Sequence, residues 1–321
     1  NPGYLQNSNT ILDSFTRPES IIPTKELELL YGVFFGSFDL TGLDDLYIVT
    51  DEVFSGFPFH ALINIQNKKW SIDEFRISYL SSEKLLPYID KRRISKNNRF
   101  LGFGNPTLNK DTLESQIDDF FDERGDYPVN NISDLYELPD TETEISNIAK
   151  YFRKSEVFFQ DDATEENLLV NLDKSIDILA FATHSVKGMS KFYNDRGLIL
   201  TPENSDNYAN DGFLSNQQIK FLNLDNNPIV LLTACNTIDP QYYLSLPYSG
   251  LASSFMEAGA DGVLLSLWNV NSKSSSELNQ GIFTDNNSYF TDALRNSIID
   301  IKSQEQYSHP YFWAPYIYLG R

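Results

Sequence analysis

The chain has 321 residues, 41% hydrophobic and 14% aromatic, enough to fill one large α/β core or two modest ones and too apolar for a disordered polymer. Its 45 Asp and Glu against 25 Lys and Arg give a net charge of -20, which repels phosphate backbones and anionic headgroups and argues against direct nucleic-acid binding. The single cysteine excludes an internal disulfide and a Cys-rich zinc site, no apolar run reaches membrane-spanning length, and no charged-then-apolar leader opens the chain. A cytoplasmic protein without contact to membrane is the expectation.

The opening Asn1-Pro2, without a methionine, reads as the start of an excised piece of something longer. Residues 1–24 are polar and proline-containing and read as a linker or an ordered arm, ahead of a domain over 25–321. A helix is expected from Thr24 to about Phe38, then a buried strand over Asp45–Thr50. A second apolar run, Arg99–Gly104, is expected to stop at Asn105-Pro106, because proline cannot donate to a ladder. Residues 107–138 are rich in Asp and lack a periodic apolar stripe, so they read as an exposed acidic insertion.

From residue 140 the pattern becomes regular. Thr141 and Glu144 have capping-box spacing, and Ile145, Ile148, Ala149 and Phe152 follow at helical intervals. A strand over Val157–Phe159 leads to a second capping-box pattern at Asp162 and Glu165, and then to the apolar strand Ile176–Ala182. This strand-helix alternation implies a mostly parallel sheet. Gly197–Leu200, Ile229–Thr233 and Gly262–Trp268 supply further strands, with helices over Ser215–Phe221 and Ser249–Ala258 between them.

Open parallel sheets bind ligands beyond the carboxyl ends of their strands. Two chemically capable side chains occupy such positions: His184 follows the run 178–183, and Cys235 follows the run 229–234. A thiol and an imidazole on adjacent loops form a nucleophile and its acid-base partner, provided the two strands are neighbours. His60 lies in Phe57-Pro58-Phe59-His60 and His309 precedes Pro310 and three aromatics, so both read as packing residues. No metal site or cofactor is expected, since the three histidines lack ligand spacing.

Phe181–His184, Leu231–Thr237 and Gly250–Ala260 resemble the CHAT branch of the caspase-like peptidases. Ser266–Val270 and His309–Pro315 match its later motifs, and Ile48–Glu52 with Phe57–Leu62 its entry segment, in order from about residue 25 to the end. The resemblance implies a caspase-like three-layer sandwich, a mostly parallel central sheet with helices on both faces. It also implies cysteine endopeptidase activity on a protein substrate, Cys235 as nucleophile and His184 as general acid-base, and a helical-repeat regulatory domain or subunit as partner.

In such an enzyme the oxyanion is held by the backbone N–H of Cys235 and of the residue after the histidine. The family places glycine after the histidine, whereas this chain has Ser185, with Gly188 three residues on, so an altered turn is expected. The resemblance assigns the loop after Trp268 to the substrate residue preceding the scissile bond. Trp268, Asn269, Asn271 and Ser272 carry no charge, which favours a neutral or apolar residue there, unless Asp195 or Asp211 reaches in. The rival readings are a catalytically silent scaffold that binds proteins and a small-amide hydrolase with a closed pocket.

Overall fold

The computed structural model describes residues 2–50, 54, 56–89, 92–108, 119–122, 135–172, 174–189, 194–203, 210–233, 250–268, 271–284 and 287–320. The chain divides into two compact units, Asn1–Ile94 with Pro240–Pro247 and Val270–Arg321, and Ser95–Asp239 with Tyr248–Asn269.

The first unit opens with helices α1 (Pro2–Phe15) and α2 (Thr24–Phe35). The polar segment before residue 24 is therefore largely helical, and its Ile11 and Phe15 are fully buried. Helix α2 ends three residues before the expected Phe38. Strand β1 (Asp45–Ile48), the short helix α3 (Ser71–Glu74) and strand β2 (Arg76–Tyr79) follow. Strand β1 is half-buried along its length and pairs in parallel with β2.

Arg76 of β2 grips Asp45 with two nitrogens, at 2.7 and 3.0 Å, and Asp292 with a third at 3.0 Å. The two carboxylates hold its guanidinium charged and tie β1 and β2 to the distant helix that carries Asp292.

His60 is buried and its ring meets Trp313 edge-on at 6.2 Å. Burial lowers its pKa to about 4, so it stays neutral. His309 fixes a turn, its Nδ1 accepting from the Tyr311 N–H at 3.1 Å.

The second unit begins with strand β3 (Arg99–Pro106) and the short strand β4 (Asp119–Asp122). Then come helix α4 (Pro139–Ala149), strand β5 (Lys154–Gln160), helix α5 (Glu165–Leu172) and strand β6 (Ile178–Ala182). Strands β7 (Ser185–Met189), β8 (Asn194–Ile199) and β9 (Phe213–Ser215) are followed by helix α6 (Asn216–Lys220). Strand β10 (Ile229–Leu232), helix α7 (Leu251–Glu257) and strand β11 (Gly262–Ser266) complete the unit. The chain ends, back in the first unit, on helices α8 (Ser272–Thr284) and α9 (Phe290–Ser303) and strand β12 (Tyr316–Gly320), which pairs in parallel with β2.

The strands of the second unit run β11-β10-β6-β3-β5, parallel throughout the given registers. Strands β1, β2 and β12 of the first unit pair in parallel as well, so each unit is parallel α/β in its main sheet strands. Helices lie on both faces of the five-stranded part. The even positions of β3 face α4, since a Cβ on Gly102 would stand 2.6 Å from Ile145 and one on Gly104 3.2 Å from the Thr141 carbonyl. On the opposite face Phe103 stacks on Phe181 at 5.4 Å, and Phe181 meets Phe255 of α7 at 5.7 Å. This is the layered arrangement that the resemblance implies.

Four strands, β4-β7-β8-β9, form a separate antiparallel sheet. The run 197–200 thus belongs to this second sheet. So does part of the expected insertion, because β4 pairs with β7, and Leu135 and Leu138 at its far end are buried. Residues 109–118 and 123–134 of that stretch lie outside the described residues.

Strand β3 also continues through Pro106, where the proline was expected to end it. Its register against β5 shifts between Gly104 and Pro106, and Asn105 sits at φ 42°, so the residue without an N–H falls at an irregularity of the ladder.

Gly102 has no room for a side chain, with Ile145 on one side and the Phe100 ring 2.8 Å away on the other. Gly102→Ala is expected to destabilise the fold by about 1–3 kcal/mol through overpacking against α4. Urea unfolding checks this, and an unchanged midpoint would show that α4 can retreat freely.

Candidate active site

The two strands that carry the candidate pair are neighbours. Strand β6 pairs in parallel with β10, with Phe181 opposite Leu232, and the Thr233 N–H donates to the Phe181 carbonyl at 3.0 Å. His184 is three residues past Phe181, and position 235 is three residues past Leu232. Cys235 itself lies outside the described residues, as do its neighbours from 234 to 249.

Buried β-sheet is what these sequences dictate. Ile178-Leu179-Ala180-Phe181-Ala182 and Ile229-Val230-Leu231-Leu232 are apolar at every position and buried throughout, as strands covered on both faces must be. The chain polarity changes abruptly at their carboxyl ends. Thr183 turns its hydroxyl to the Ile199 carbonyl at 2.5 Å, and His184 accepts the Ile199 N–H on its own carbonyl at 2.9 Å. Both sides of Ile199 are thereby bound to the segment that seats the imidazole.

The imidazole of His184 is fully buried. Its Nε2 lies 2.8 Å from the Tyr136 carbonyl oxygen, and the Tyr136 ring stands at right angles to it at 5.3 Å. A carbonyl can only accept, so Nε2 carries a proton and donates it; in the neutral ring Nδ1 is then the nitrogen with the lone pair. Nothing in the sequence singled out Tyr136, which sits at the end of the acidic stretch 107–138. A peptide carbonyl has no sequence signature, and only the folded chain brings it to the histidine.

Ser185 opens β7 and is fully buried, and its hydroxyl has no partner among the described residues. It stands opposite Leu198 at a position where the ladder bonds run through the flanking residues, as the Ile199 to His184 bond shows. Its amide is therefore directed away from β8. The family's glycine position is here the first residue of a regular strand.

Trp268 is buried just past β11, the neighbour of β10. Asn269 lies outside the described residues. Asn271 is exposed and caps α8, its Oδ1 accepting from the Ser274 N–H at 3.1 Å, and Ser272 is the first residue of that helix. Asp211 is buried and hydrogen-bonded to the Phe213 N–H at 2.8 Å. The side chain of Asp195 is not among those described.

Among the described residues no group of His, Cys, Asp and Glu is arranged to hold a metal ion, and no helix is long and apolar enough to cross a membrane.

A model of the CHAT domain matches residues 24–321. A comparison with curated proteins finds no match. Among solved structures, a chain of the Saccharomyces cerevisiae separase-securin complex superposes with a TM-score of 0.52 at 15% identity, over 93% of this chain and 17% of that one. A chain of the complex of Porphyromonas gingivalis RgpB pro- and mature domains superposes with a TM-score of 0.50 at 11% identity, over 99% of this chain and 76% of that one. This chain thus spans about a sixth of the separase chain it matches. The shared element is the caspase-like fold.

Proposed function

Because the chain belongs to the CHAT domain family, we propose that it is a cysteine endopeptidase acting on a protein partner, with Cys235 as nucleophile and His184 as general acid-base. The observation that supports this reading is the parallel pairing of β6 with β10, Phe181 opposite Leu232, since His184 and Cys235 each follow that pair by three residues in the sequence. That is where a thiol and an imidazole can share a substrate.

The Cys235 thiolate attacks the scissile carbonyl carbon and pushes its π electrons onto oxygen. The resulting oxyanion takes hydrogen bonds from the backbone N–H groups of Cys235 and Ser185, dipoles fixed before the reaction begins. The tetrahedral adduct collapses by breaking its C–N bond, and the imidazolium of His184 gives its proton to the departing amine, which cannot leave as an anion. An acyl-enzyme thioester remains. Water then gives a proton to His184 and attacks the thioester, and the thiolate leaves as the carboxylic acid is released.

In this cycle Tyr136 is a positioning residue. Its carbonyl occupies Nε2 and leaves Nδ1 as the nitrogen that exchanges the proton.

The segment 268–272 would meet the substrate residue before the scissile bond. Trp268, Asn269, Asn271 and Ser272 are uncharged, so a neutral or apolar residue suits it better than Arg or Lys. The Asn271 side chain is partly committed to its helix cap, which leaves Trp268 and Asn269 the main determinants in this proposal. The partner would be a protein, and a helical-repeat domain or subunit would supply regulation.

A second reading, a silent scaffold that binds proteins, is favoured by the complete burial of His184 and by Ser185 in the glycine position. Labelling with a cysteine-reactive peptide probe separates the two. A peptidase labels at Cys235 at a rate that drops when His184 is replaced, whereas a scaffold labels slowly and indifferently to His184. Mapping of new termini in proteins incubated with the chain then reads out the substrate.

A further inference from the structure

In the second unit two carboxyl groups are buried against one turn. Glu165, the first residue of α5, is 3% exposed and Asp211, just before β9, is 5% exposed. Glu165 Oε1 accepts the Gly212 N–H at 3.0 Å and Oε2 accepts from Gln218 Nε2 at 3.0 Å, while Asp211 Oδ1 accepts the Phe213 N–H at 2.8 Å. Gln218 is itself pinned, since its Oε1 accepts the Ser215 N–H at 2.8 Å in the capping box of α6. The amides that the two carboxyl groups hold, those of Gly212 and Phe213, are consecutive, so both acidic groups converge on one turn. Two buried carboxylates on one turn repel strongly unless one of them keeps its proton.

We propose that Glu165 and Asp211 hold one proton between them, and that this proton latches the Gly212 turn and, through it, the strands that seat His184. The connection is a continuous run of backbone bonds. The Glu165 side chain holds the Gly212 N–H, the Gly212 carbonyl accepts the Leu200 N–H at 2.8 Å, and the preceding residue, Ile199, donates to the His184 carbonyl at 2.9 Å. The turn itself is tight. Gly212 lies at φ +84°, and a Cβ there would stand 2.8 Å from the Leu200 carbonyl. Removing the proton would leave two buried negative charges side by side on a turn with no slack.

The charged groups that act on Glu165 are Asp211 and, from the segment after β8, Glu203; Glu166, next along α5, acts in turn on Glu203. All are acidic; from α6 the neutral Gln218 reaches Glu165, while Lys220 of that helix pairs with Glu257. Burial first, and the Asp211 carboxylate second, push the Glu165 carboxyl up to about 9. Burial raises Asp211 only to about 6, and an unfolded Glu or Asp releases its proton in the ordinary carboxylate range, so between about 6 and about 9 the folded pair binds one proton more. Stability from the pair is full at the acid end and is lost as pH rises, at most about tenfold in the folding constant per pH unit.

The test compares thermal midpoints of the wild type, Glu165→Gln and Asp211→Asn between pH 6 and 9, with amide exchange at Gly212 and Phe213 corrected for intrinsic base catalysis. The wild type is expected to lose stability steadily across this range, with both amides opening as it does. Glu165→Gln starts less stable at pH 6, because its single amide oxygen replaces two oxygens that accept separately from Gly212 and Gln218, but its slope is shallower by one proton. Asp211→Asn removes the charge that opposes Glu165 ionisation and also flattens the slope. Equal slopes in the wild type and both variants, or amides whose corrected exchange does not rise with pH, would overturn the proposal. None of these measurements requires proteolysis, so the peptidase reading stands or falls separately.

Discussion

Cys235→Ala is expected to reduce cleavage of a cognate protein by about six orders of magnitude, to the detection limit, because no other group in the proposed site can form the acyl intermediate. His184→Gln is expected to cost less, about 10²–10⁴-fold, the usual contribution of a positioned acid-base group. The difference follows from chemistry. A cysteine thiol retains some nucleophilicity without a base, whereas an amide nitrogen still needs a proton in order to leave. Glutamine at 184 keeps a donor for the Tyr136 carbonyl, so the local packing is disturbed less than by alanine. The check is the rate of appearance of new termini in each variant, beside its thermal midpoint. Undiminished cleavage by Cys235→Ala would remove the nucleophile assignment, whereas no cleavage by the wild type would leave the scaffold reading in place.

What could be read from the sequence was what neighbouring residues decide. Strands β6 and β10 were legible because every side chain in them is apolar, and helix α6 because Ser215 caps it locally, its Oγ accepting the Gln218 N–H at 3.2 Å. Local motifs misled where a distant partner outbid the neighbour. Thr141 has capping-box spacing, yet α4 starts at Pro139, and the Thr141 hydroxyl instead donates to the Leu138 carbonyl and accepts the Asn105 N–H of β3.

The pattern at Asp162 and Glu165 failed in the same way. Thr164 caps α5, accepting the Asn167 N–H at 3.1 Å, and Glu165 turns inward to Gly212. The acidic stretch before α4 hid β4 and the approach of Tyr136 to His184, since both depend on pairing across more than forty residues. The direction of β8 was likewise invisible, because an apolar run does not say which way its partner runs.

Phe181→Ala is expected to cost about 3–5 kcal/mol, the range for emptying an aromatic site in a packed core. Phe181 is fully buried in β6, stacked on Phe103 at 5.4 Å and tilted against Phe255 of α7 at 5.7 Å, and Phe103 stacks in turn on Phe158 of β5. One deletion therefore opens a void facing two strands and a helix. The consequence reaches the site through the backbone, because the Phe181 carbonyl accepts both the N–H and the hydroxyl of Thr233, at 3.0 and 3.3 Å, and so sets the register of β6 against β10. In the proposed site a shift there would move His184 relative to the strand that leads to Cys235, and a displacement of about 1 Å is enough to cost 10²-fold in rate. Phe181→Leu fills part of the void and should retain more than half of the lost stability. Urea unfolding of both variants measures the first effect, and cleavage rates measured well below the unfolding transition isolate the second. A loss under about 1 kcal/mol in Phe181→Ala would mean that α7 collapses into the gap, and that the aromatic stack does not hold the two site-bearing strands in register.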